Sequence, residues 1–156
     1  MTKTLNTALS IELAERIKSK SVNSFHNAHK AVLLTPTATY VQGFLVSAGE
    51  QAKPIEYSWL EMDEQIIDPT FPHLNKNAEE LYYFPAQSLS VKQLKAVIEE
   101  ATEDYPEDDP LPVYGEAPFE YYGDVMLGGK NYLDAYKAAE EKCRELNSPK
   151  IQDALP

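Results

Sequence analysis

The segment IEYSWLEMDEQIIDPT, residues 55 to 70, leaves a folding chain few options. Apolar and polar residues alternate on both sides of Asp63-Glu64, and a two-residue turn there closes a β-hairpin. With that turn, Met62 faces Gln65, Glu61 faces Ile66, Trp59 faces Asp68 and Tyr57 faces Thr70. Successive side chains point to opposite faces, so Tyr57, Trp59, Asp68 and Thr70 share one face. Tyr57 and Asp68 become diagonal neighbours, and the phenol is expected to hydrogen-bond the carboxylate.

The rest of the chain builds around this hairpin. Leu9, Leu13 and Ile17 form a helical stripe over residues 7 to 20, with Thr7 or Ser10 available as a cap. Phe25, Ala28 and Val32 give one apolar side to a second helix over residues 22 to 34, ended by Pro36. Residues 39 to 48 read as a strand, GEQAKP as a turn, and residues 80 to 85 as a short extended piece or a helix end. Ser90 caps a helix over residues 90 to 103, and a final helix runs over residues 131 to 147. The order predicts a single α+β domain spanning 1 to 156. N-terminal helices precede a central antiparallel sheet, with strands near 39–48, 55–62 and 65–70, and C-terminal helices pack on it. The tail after Pro149 is expected to fray.

Charge narrows the function classes. Against 25 acidic residues stand 14 basic ones, a formal net charge of −11. Phosphate binding needs clustered Lys and Arg, so neither nucleic acid nor an anionic membrane surface is an expected partner. Cys143 is the one cysteine, which excludes an intrachain disulfide and suits a reducing compartment. The first twenty residues hold no apolar signal region and no apolar run approaches a membrane span, so a soluble cytoplasmic protein is expected.

Several motifs together resemble the His–Asp hairpin of the transglutaminase-like and papain-like cysteine enzymes. They are YVQGF at 40 to 44, Trp59, Glu61 and DPT at 68 to 70. The preceding SFHNAHKAV resembles the nucleophile helix of that family, which reads Cys, aromatic, any residue, Asn, Ala. The resemblance spans roughly residues 20 to 72, about a third of the chain. It implies a cysteine nucleophile, a histidine base and an aspartate that orients the base. Here Ser24 stands at the Cys position and Tyr57 at the His position, and only Asp68 is kept. A phenol titrates near pH 10 and is a poor base at neutral pH. The resemblance therefore implies a catalytically degenerate member that works by binding a protein or peptide, without cofactor or metal. Two alternatives stay open. One is an active hydrolase or transamidase that recruits Ser24 or a histidine. The other is an acidic inhibitor or DNA mimic.

Other residues carry weaker signals. His26 and His29 lie three apart on one helix, a spacing compatible with metal but equally with two surface histidines. His73 follows DPTFP and could fold back toward Asp68, and Cys143 reads as a small buried hydrophobe. The stretch from 104 to 124 is Pro-rich, acidic and aromatic, and is expected to lie as a long loop over the body. Its aromatics, above all Tyr114, Phe119, Tyr121 and Tyr122, are the expected binding residues, together with Asn27 and Trp59 near the hairpin.

Overall fold

A computed structural model of the chain describes residues 3–49, 53–122 and 125–147. Part of the GEQAKP turn and the tail after Pro149 lie outside the described residues. The architecture is α+β: a mixed five-stranded sheet with helices, and a separate two-stranded hairpin. In chain order come β1 (Thr4–Leu5), α1 (Thr7–Ile17), α2 (Ser24–Leu34), β2 (Thr39–Ser47), β3 (Ile55–Met62) and β4 (Gln65–Ile67). After them follow β5 (Leu81–Leu89), α3 (Val91–Asp104), β6 (Phe119–Tyr122), β7 (Val125–Gly128) and α4 (Lys130–Asn147). No helix among the described residues is long and apolar enough to cross a membrane.

The hairpin closes where expected. Asp63 and Glu64 both take positive φ, 52° and 64°, the backbone of a tight two-residue turn whose twist matches the strands. Met62 pairs with Gln65, Glu61 with Ile66 and Leu60 with Ile67. Pairing then stops, so the expected Trp59–Asp68 and Tyr57–Thr70 rungs are absent. Pro69 has no N–H to donate, and the chain turns into a 3-10 turn over Phe71–His73 with the Asp68 carbonyl accepting from Phe71 N–H at 3.0 Å.

The sheet order is β1-β4-β3-β2-β5. The three expected strands are antiparallel, and β1, which was not expected, adds a parallel pair to β4 and makes the sheet mixed. Two residues are too short to show a period in sequence. β5 is a full nine-residue edge strand antiparallel to β2, longer than the short piece expected at 80 to 85. Pro85 sits within it, and an edge strand tolerates a missing donor. The ladder shifts between Gln42 and Gly43, leaving Ala86 as an extra residue in β5. Gly43 is required there, because a Cβ would run into the Phe84 carbonyl and crowd Ala86 N.

α1 ends at Ile17, short of the expected residue 20, with Lys18 in the left-handed conformation at its C-cap. Its N-cap is Asn6, whose side chain accepts from Leu9 N–H. Ser10 and Thr7 do not cap it, and Ser10 is buried. Ser90 caps α3 as expected, in a reciprocal capping box with Gln93.

α2 and α4 cover one sheet face. Leu13, Ala28, Val32, Tyr40, Leu60 and Leu94 form its first core, and Phe44, Val46, Tyr132, Ala139 and Cys143 its second. Val41, Leu45, Tyr57, Trp59, Ile66 and Leu81 form a third, packed with Leu5, Phe71 and Tyr83. The expected loop of 104 to 124 contains β6, which pairs with β7. The residues before it are clasped to the sheet by Gln42. This buried side chain gives its amide to the Val113 carbonyl (2.6 Å) and accepts from Val113 N–H (3.0 Å) and Tyr40 OH (3.0 Å).

Gly43→Ala is expected to destabilise the protein by roughly 2–4 kcal/mol, since neither backbone beside it can give way without breaking the bulge. Urea unfolding followed by far-UV circular dichroism reads this directly.

Candidate functional site

Asp68 is fully enclosed. Its Oδ1 accepts from Thr70 N–H at 2.8 Å, and its Oδ2 accepts from Tyr57 OH at 2.9 Å and Tyr83 OH at 2.7 Å. Its own N–H donates to Ser10 Oγ at 2.9 Å. Burial pushes its carboxyl up to about 6, against the pull of these donors. Burial, and then the neighbouring Asp68 charge, drives the Tyr57 and Tyr83 phenols far above their usual range. Both phenols therefore stay protonated and donate to Asp68. The expected Tyr57–Asp68 bond is present, and Tyr83 is the member of this node that the sequence reading left out.

Ser24 opens α2 and is buried, with its Oγ accepting from Ser58 N–H at 3.2 Å. It sits beyond the point where β4 ends, so its hydroxyl takes an edge donor of β3 that β4 leaves open. One turn later Asn27 donates to the Thr70 hydroxyl at 2.9 Å, and Thr70 lies beside the Tyr57 phenol. Ser24, Tyr57 and Asp68 thus belong to one neighbourhood where α2 meets β3. No described hydrogen bond joins Ser24 to Tyr57, to Asp68 or to a histidine. His26 bonds Asp109 at 2.6 Å, and His73 bonds the Ser19 hydroxyl at 2.9 Å and does not fold back to Asp68. His29 is partly buried, and burial lowers its affinity for a proton. Among the described residues no group of three or more His, Cys, Asp or Glu side chains converges as a metal site requires.

The expected binding residues divide in two. Asn27 and Trp59 are enclosed and line no open groove. Asn27 Nδ2 donates to the Lys20 carbonyl and its Oδ1 accepts from Lys20 N–H, so it ties the chain entering α2 to the helix. Trp59 packs edge-on against Tyr83, with ring centroids 5.1 Å apart. Tyr122 is also buried, stacked on Tyr136. Alternation along β6 sends its neighbour the other way, and Tyr121 is 68% exposed. Tyr114, Phe119 and Met126 are exposed beside it.

These residues rim a cavity of about 730 Å³, where Phe25, Tyr114, Phe119, Tyr121 and Met126 surround Glu56. Glu56 is the residue no motif pointed to. Its Oε2 is sealed from solvent and has no hydrogen-bond partner among the described residues. Burial alone pushes its carboxyl up to about 7. The Tyr114 carbonyl accepts from Gly128 N–H at 2.8 Å, which locks the loop to the hairpin and holds the rim together. No protein-family model, curated protein or solved structure matches the chain.

Asp68 makes a clear pH signature. Its carboxyl is near 4 unfolded and about 6 folded, so between those values the native state holds a proton that the unfolded chain has lost. Stability from this group is full below pH 4 and falls as pH rises to 6, by about 3 kcal/mol. Asp68→Asn keeps a carbonyl for Thr70 N–H while the two phenols turn to donate elsewhere or accept. Its unfolding free energy is expected to lose this component between pH 4 and 6. Asp68→Ala orphans three donors and is expected to cost about 3 kcal/mol in the same urea titrations.

Proposed function

We propose that this protein is a catalytically silent counterpart of the transglutaminase-like and papain-like cysteine hydrolases that works by binding a protein or peptide. The observation that carries the reading is the state of the three matched positions. Asp68, the residue that would orient a base, is occupied by two tyrosine donors instead. Ser24, at the nucleophile position, is enclosed and accepts a backbone hydrogen bond, and among the described residues no histidine is hydrogen-bonded to it. A serine hydroxyl without a base is a weak nucleophile.

The binding half of the proposal rests on the opposite property elsewhere. Tyr114, Phe119, Tyr121 and Met126 are large, apolar, adjacent and open to solvent. A contiguous apolar patch with a polar rim marks interaction surfaces on soluble proteins, and tyrosine supplies contact area at low entropic cost. The backbone beneath it is already ordered by the Gln42 clasp, so little freedom is lost on binding.

Peptide-library display against the purified protein tests both halves. Selected peptides are expected to lose at least about tenfold in affinity on Tyr121→Ala and to bind Ser24→Ala as they bind the native chain. Ester hydrolysis and amine transfer to glutamine donors are expected to stay at the buffer rate. Turnover that disappears in Ser24→Ala would overturn the reading.

A further inference from the structure

The rimmed cavity contains one feature that apolar docking does not explain, a Glu56 carboxylate whose Oε2 has no hydrogen-bond partner among the described residues. We propose that this cavity seats the basic side chain of a peptide, with Glu56 as counter-ion and Phe25, Tyr114, Phe119 and Tyr121 as walls. The inference rests on the peptide-binding reading above and names the chemistry of the partner.

Three observations converge on a cation. First, Glu56 Oε2 is buried with no hydrogen-bond partner among the described residues, and burial is what raises its titration. A buried carboxylate left alone is unfavourable, and an arriving ammonium or guanidinium removes that penalty. Second, the walls are aromatic. Ring faces attract cations, most strongly where water is excluded, and guanidinium groups also stack on them. Third, the surroundings are acidic. A second cavity of about 770 Å³ shares Pro112 and Tyr114 with the first and is lined by Glu100, Asp104, Asp108 and Asp109. A peptide with one basic residue over Glu56 would carry flanking basic residues along this groove. The net charge of −11 steers such a partner inward.

The probe is a fluorescein-labelled Gly-Ser peptide carrying three arginines, read by fluorescence anisotropy against the full chain. Its control carries citrulline at the same positions, which keeps shape and removes charge. The arginine peptide is expected to bind about 30-fold more tightly than the citrulline peptide. Glu56→Gln is expected to remove most of that difference, and Tyr121→Ala to weaken arginine-peptide binding. Glu12→Gln, the same charge change on an exposed site of α1, is expected to leave binding unaltered. Glu56→Gln is also expected to melt no lower than the native chain, because an unpaired buried charge has been removed, so lost binding would not reflect unfolding. Equal binding of both peptides, or an unchanged Glu56→Gln, would overturn the cation assignment and leave the peptide-binding reading standing. Binding of neither peptide would also overturn the assignment, while the display selection judges the broader reading separately.

Discussion

The Asp68 carboxylate is the point on which the most elements converge. A buried charge is tolerated only where hydrogen bonds replace the water it has lost. Here the replacements come from β3 through Tyr57, from β5 through Tyr83 and from the adjoining turn through Thr70, while Ser10 of α1 accepts from the Asp68 backbone. Thr70 is held in turn by Asn27 of α2. Two helices, two strands and the end of the hairpin are therefore placed relative to one another through Asp68 and its neighbour Thr70. Among the described residues these donors, and no histidine, hold the carboxylate.

The second constraint acts across the sheet. Gln42 behaves like a short piece of strand, offering the Val113 backbone both an acceptor and a donor. Its amide also meets the Tyr132 hydroxyl at 2.9 Å, so the clasp reaches α4. It fixes a Pro-rich segment that has little regular structure of its own and sets Tyr114 at the cavity rim. Order at Asp68 makes the framework, and order at Gln42 makes the surface. Glu56 lies between them on β3, on the covered face but short of a partner. Frameworks seldom leave such a group unpaired without a use, since an isolated buried carboxylate lowers stability wherever it is ionised.

The two carboxylates differ in what compensates them. Burial raises both carboxyls, but at Asp68 three donors oppose the rise, while at Glu56 burial acts alone. Asp68 is compensated within the fold, whereas Glu56 Oε2 has no hydrogen-bond partner among the described residues.

Local patterns were legible where they were written in neighbouring residues. The hairpin register near Asp63-Glu64, the Ser90 cap, the helix over 130 to 147 and the Tyr57–Asp68 bond all follow from spacing and turn chemistry over a dozen residues or fewer. Whatever depended on residues far apart in the chain was decided by tertiary structure. Tyr83 reaches Asp68 only because β5 crosses to the far edge of β2, a pairing whose bulge at Gly43 and proline at 85 hide the strand's alternation. Tyr122 and Tyr121 look equivalent in a tyrosine-rich loop, and only the β6–β7 pairing turns one inward and the other out. Glu56 and Gln42 read as ordinary polar positions of alternating strands, and become a cavity wall and a clasp once Pro112, Val113, Tyr114 and the β6–β7 strands lie against them. The sequence by itself determined the elements, because their forces act between near neighbours. The exposed aromatic rim was settled by contacts between segments some seventy residues apart, which no local pattern encodes.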